Sequence, residues 1–158
     1  MARKWHIKGN ANGTLMTLRG CFFYAIIYVE VMTMFVKVNP NPYGEYVGDC
    51  VIRALSTALD ETWDRLYAEL AVQGYMMKDM PSSNHVWSTY LGGKGFKCAV
   101  VPNNYTVMTF SENYPSGVYI LATGSHVVTV IDGNYYDSWD SGKETPIYYF
   151  YKEEKNGV

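Results

Sequence analysis

Apolar and polar residues follow two rhythms along this chain, and the change between them falls near Lys94. After a loop rich in Pro, Gly and Asn (residues 39–48, NPNPYGEYVG), Val51, Leu55, Ala58 and Leu59 recur at helical spacing. They predict an amphipathic helix that opens at Gly48 or Asp49 and carries Cys50 in its first turn. Thr62 reads as the N-cap of a second helix, because Trp63, Leu66, Tyr67 and Leu70 follow at i, i+3, i+4 and i+7, with Gly74 as its stop. A third, shorter helix is expected from about Ser83 to Leu91, closed by Gly92 and Gly93. Beyond Lys94 the period shortens. FKCAVV reads as a strand and TVMTFSEN as a short helix ended by Pro115. GVYILAT, HVVTVI, NYYDSW and PIYYFY then read as strands separated by Gly, Asp and Asn. The Asp132-Gly133 pair is the strongest hairpin signal. Helices first and an antiparallel meander after predict an α+β fold.

Residues 1–36 are read as an N-terminal extension, ahead of a folded domain over 37–152 and a polar tail at 153–158. Basic residues (Arg3, Lys4, Lys8, Arg19) precede the apolar run GCFFYAIIYVEVMTMFV, which is the order of a signal peptide or an anchor. Glu30 interrupts that run, and burying it in hydrocarbon costs about 3 kcal/mol. The uninterrupted part is ten residues, too short to span a bilayer, and no small-x-small cleavage site precedes the folded region. A genuine N-terminal strand or helix, and a translation start at Met32 or Met34, are the two other readings of the segment.

Composition narrows the picture further. The chain has 158 residues, enough for one core of ordinary size, and its 48% hydrophobic against 18% charged residues excludes disorder over the whole length. A net charge of −2, with no long run of either sign, gives nucleic acid no electrostatic footprint. Fifteen tyrosines favour half-wet strands in the second half. The three cysteines, Cys21, Cys50 and Cys98, form no CxxC or paired Cys/His motif, so neither a disulfide framework nor a metal site is expected and no cofactor is implied. A reducing, cytoplasmic setting is the default.

Cys50 is the candidate nucleophile. A thiol in the first turn of a helix meets aligned peptide dipoles and unpaired N–H groups, which favour the thiolate. A general base is available in His126, at the start of HVVTVI. If the hairpin turns at Asp132-Gly133, paired residue numbers sum to 265, so His126 lies opposite Trp139 and shares a face with Val128, Val130, Tyr135 and Asp137. Asp137 is then placed to orient the imidazole, and Asp140 points the other way. Thiol, imidazole and carboxylate are the parts nucleophilic acyl transfer needs: one to attack, one to carry the proton, one to fix the tautomer.

A glycine-preceded Cys opening a helix (VGDCVIRALS), a His opening a strand (GSHVVTVIDG) and an Asp in the next strand (NYYDSW) resemble the papain-like cysteine peptidases in compact form. The resemblance implies Cys50 as nucleophile, His126 as general acid/base, Asp137 as the orienting third member, and a Cys-bearing helix packed on the antiparallel sheet that holds the His. Papain-like peptidases usually carry a Gln shortly before the Cys to donate to the oxyanion, whereas position 44 here is glycine. Asn39, Asn41 or the Tyr46 hydroxyl are the candidate substitutes, beside the Cys50 backbone N–H. Flanking the site, Trp139 is expected to shield the imidazole, while Asp49 is expected either to cap the helix or to oppose the thiolate by its charge. His85, Trp63, Trp87 and Cys98 read as surface or core residues. The expected function is a thiol hydrolase acting on a peptide or protein substrate. A catalytically weak papain-like domain that binds a peptide or protein partner is the alternative.

Overall fold

The computed structural model describes residues 33–45, 47–102 and 104–153; the expectations for the rest of the extension and for residues 154–158 lie outside them. Among the described residues, helices α1 (Cys50–Leu59), α2 (Trp63–Met77), α3 (Asn84–Gly93) and α4 (Val107–Asn113) accompany strands β1 (Phe35–Lys37), β2 (Lys97–Val100), β3 (Val118–Ala122), β4 (Val127–Ile131), β5 (Asn134–Asp137) and β6 (Tyr148–Tyr151). Thr62, Ser83 and Thr106 cap α2, α3 and α4, each accepting from a backbone N–H of the first turn. The protein is an α+β fold.

The sheet runs β1-β5-β4-β3-β6-β2. Asp132 (φ 47°) and Gly133 (φ 77°) turn the β4–β5 hairpin in the left-handed region, and Val130 pairs with Tyr135, the register expected from the sequence. In two respects the sheet departs from a simple meander. β6 returns to lie between β3 and β2. β1 runs parallel to β5, with Lys37 opposite Asp137, so the sheet takes in Phe35 and Val36, which hydropathy assigns to the extension. Strand pairing is a long-range choice, and a three-residue strand carries no period from which to read it.

Two cores sandwich the sheet. On one side Leu55, Leu66, Leu70, Trp87 and Leu91 from the helices meet Ile120, Val127 and Phe150; on the other, Val107 and Phe110 of α4 cover Leu121, Val128, Val130 and Tyr135. Thr129 sits on the α1 side of β4 and its hydroxyl donates to the Ala54 carbonyl (2.6 Å), fixing the Cys-bearing helix against the strand.

Helix α2 passes through Gly74 to Met77 rather than stopping there. The chain turns at Lys78, which takes the left-handed conformation (φ 59°), while the Asp79 N–H closes on the Gly74 carbonyl at 3.0 Å. Gly74 is there for space: a Cβ on it would lie 2.6 Å from the Asp79 carbonyl oxygen. Helix propensity alone would make Gly74→Ala stabilising. Urea denaturation is instead expected to show a loss of about 1–3 kcal/mol, the usual cost of forcing an atom into a filled site.

Candidate active site

Cys50 is the first residue of α1 and half-buried at the edge of the helix-side core. Asp49 precedes it at the N-cap position, and its backbone carbonyl accepts from the Arg53 N–H (3.0 Å). The two-residue turn of the β3–β4 hairpin brings His126 to this helix end. Thr123 holds that turn from both sides, with its N–H donating to the His126 carbonyl (2.9 Å) and its hydroxyl accepting from the His126 N–H (3.0 Å). Asp137 ends β5 and is buried.

The imidazole lies between the other two groups. Its Nε2 is 2.6 Å from Asp137 Oδ2. A carboxylate can only accept, so Nε2 carries the hydrogen and Nδ1 is left for the thiol. Asp137 is itself held by its other oxygen, which accepts from the Ser138 N–H at 2.6 Å. Burial pushes the Cys50 thiol up, but hydrogen bonding to His126, the imidazolium charge, and the N–H groups of Val127 and Val51 outweigh it, leaving the thiol below its ordinary value. Burial likewise lowers His126, yet Asp137 and Cys50 lift it to about 9. Both shifts act in the direction of a thiolate–imidazolium pair. Cys98 makes the contrast: burial raises it.

The flanking residues divide. Trp139 lies beside the imidazole with ring centroids 5.3 Å apart and stays 46% exposed, so it covers one face of His126 while meeting solvent itself. Asp140 turns away and accepts from the Tyr135 hydroxyl (2.8 Å). Of the three oxyanion candidates, Tyr46 falls outside the described residues. Asn41 is buried with its amide turned inward: Nδ2 donates to Asp49 Oδ2 (3.1 Å), and Oδ1 accepts from the Tyr43 N–H (3.0 Å). Asn39 accepts from the Asn41 N–H (3.2 Å) and donates to the Glu45 carbonyl (3.4 Å). Both amides are engaged in holding their own loop, as short polar side chains in Pro- and Gly-rich turns tend to be. The Cys50 N–H, in the first turn where no carbonyl of the helix can reach it, remains as an oxyanion donor.

Asp49 does not cap α1 with its side chain. Its carboxylate, 4% exposed, joins three segments: Asn41 from the loop, Trp63 Nε1 at the start of α2 (2.9 Å) and Arg53 Nε across one turn of α1 (2.9 Å). Trp63 is therefore a donor as well as a core residue. Sequence reasoning passed over Arg53, although Asp and Arg at i, i+4 signal such a pair. It also passed over Thr123 and Thr129, for which the sequence carries no local signal.

No protein-family model, no curated protein and no solved structure matches this chain.

Proposed function

We propose that the protein is a thiol hydrolase of the papain-like type, cleaving a peptide, isopeptide or amide bond through an acyl-enzyme on Cys50. The observation that carries this reading is the convergence of Cys50, His126 and Asp137, with the thiol lowered and the imidazole raised to about 9. The Cys50 thiolate attacks the carbonyl carbon, and the oxyanion that forms is stabilised by the Cys50 N–H at the helix start. The His126 imidazolium gives its proton to the leaving nitrogen as the carbon–nitrogen bond breaks. Water then attacks the thioester, with neutral imidazole accepting its proton, and the thiolate leaves. Asp137 keeps the ring in the tautomer both steps need.

A second reading is favoured by one observation. Asn39 and Asn41 are both tied into their loop, so neither of these candidate amides is free to donate to the oxyanion. A missing donor of this kind lowers rates by about 10²–10³-fold. A domain so weakened would act by binding a peptide or protein.

One experiment separates the two. The protein is incubated with a panel of peptide, isopeptide and simple amide substrates, and iodoacetamide labelling of Cys50 and Cys98 is followed at pH 6 by mass spectrometry. The hydrolase reading expects turnover of at least one amide and labelling of Cys50 at least ~10-fold faster than Cys98. Equal labelling and no turnover would overturn it.

A further inference from the structure

Arg53 is nearly buried, its side chain 11% exposed, and its environment is unusual for a cation. Its Nε lies 2.9 Å from Asp49 Oδ1, a distance of charge on charge, yet neither atom has a directed hydrogen bond, and Arg53 Nη1 is buried without a hydrogen-bond partner. Arg53 borders a small void that Cys50, Asp137 and Ser138 also line. The void measures about 10 Å³, close to the room one water molecule needs. A buried cation thus lines the same internal space as the thiol and the orienting carboxylate, one turn along the helix from the nucleophile.

The charges around that space can be followed element by element. On α1, Asp49 and Arg53 offset one another beside Cys50. From the β3–β4 turn comes His126, and from β5 comes Asp137. β1 brings Lys37 into register with Asp137, but Lys37 is exposed and screened by solvent. α2 contributes the neutral Trp63 indole to Asp49. Without Arg53, Asp49 would be a lone buried anion in the residue preceding the thiolate, opposing its formation.

We propose that Arg53 is a positioning residue for the Cys50 nucleophile: by neutralising Asp49 and facing the shared void as a cation, it holds the thiolate–imidazolium pair at lower pH than the cluster would reach without it. The proposal rests on the reading of Cys50 and His126 as a reactive pair. It goes further by assigning the charge balance of that pair to the Asp49–Arg53 couple. Loss of a nearby cation raises both titrations of the pair, because it makes the thiolate harder to form and the imidazolium easier to keep. Loss of geometry alone does something different: it moves the two titrations toward each other, as thiol and imidazole return to their ordinary values.

The test uses protein in which Cys21 and Cys98 are replaced by Ser, so that Cys50 is the alkylated thiol. The pH dependence of its reaction with iodoacetamide gives the two inflections without any need for a substrate. Arg53→Gln is expected to raise both inflections by about one pH unit and Asp49→Asn to lower both by a similar amount. The double variant should return them to the parent positions, and Arg53→Lys should leave them there. Arg53→Gln strands a buried carboxylate and is the variant most at risk of not folding. Asp49→Asn keeps an oxygen for Asn41 and Trp63, and then carries the test by itself. Inflections that stay in place, or that converge, would overturn the proposal. A parent protein with a single inflection in the ordinary thiol range would instead overturn the underlying reading of Cys50, before any variant is made.

Discussion

Replacing Asp137 by Asn is expected to leave the protein folded and lower kcat by about 10³–10⁴-fold, the scale seen when the carboxylate of an acyl-transfer triad becomes an amide. The hydrogen bonds around Asp137 give the reason. Oδ1 accepts from the Ser138 N–H at 2.6 Å and Oδ2 faces His126 Nε2 at 2.6 Å. An asparagine has one acceptor atom for these two places. The backbone N–H of Ser138 cannot change its role, so the amide oxygen goes there and the NH₂ group turns toward the imidazole. Nε2 must then accept, which puts the hydrogen on Nδ1, the nitrogen facing Cys50. In that tautomer the ring cannot take the thiol proton. The volume of the side chain is unchanged, so the thermal unfolding midpoint should move far less than the rate. Hydrolysis of whichever amide the wild type turns over, with Cys50→Ala as the blank, checks the prediction, and a fall of less than tenfold would remove Asp137 from the machinery.

Much of this site was legible in the sequence because it rests on short-range rules. The Asp132-Gly133 turn fixes the β4–β5 register, but its pairs end at Thr129 and Tyr136, and Val128, Val130 and Tyr135 of the face expected for His126 belong to the α4-side core. His126 meets Trp139 and Asp137 beyond the paired strands, at the hairpin end. Cys50 at a helix start follows from the glycine-rich loop before it and the apolar period after it. The parts that could not be read depend on contacts between distant segments. That β1 pairs in parallel with β5 is decided by tertiary packing, not by three residues of strand. Gly74 has the chemistry of a helix stop, but its missing side chain serves the return of the chain past Asp79 and Pro81. Asn41 has the right chemistry for an oxyanion donor, and only the folded position of Asp49 shows its amide to be engaged elsewhere. Residue type indicated which groups could react; which partner each one meets was set by the fold.

The pH dependence of stability should carry the signature of the Cys50–His126 pair, and it differs between the wild type and Cys50→Ser. His126 titrates at 6.5 when unperturbed and at about 9 in the fold, so the folded protein binds the extra proton between those values. Its stabilising contribution is full below pH 6.5 and is lost as pH rises toward 9. Cys50 works in the opposite sense. Its thiol is lowered from 9.0, so its contribution is full above pH 9 and is lost as pH falls through the folded value. Where the two intervals overlap, folded and unfolded chains bind the same number of protons: thiolate with imidazolium in one, thiol with neutral imidazole in the other. Wild-type stability should therefore be nearly flat through that overlap. Cys50→Ser removes the thiol's titration and leaves His126 paired with Asp137. The histidine slope then stands uncompensated, and urea denaturation should show stability falling as pH rises above 6.5, by up to about 1.4 kcal/mol per pH unit. The interval should end below the wild-type value of about 9, because Cys50 no longer helps to hold the imidazolium. If both proteins gave the same flat profile, Asp137 would not raise the His126 titration by itself, and the carboxylate's hold on the imidazolium would be refuted.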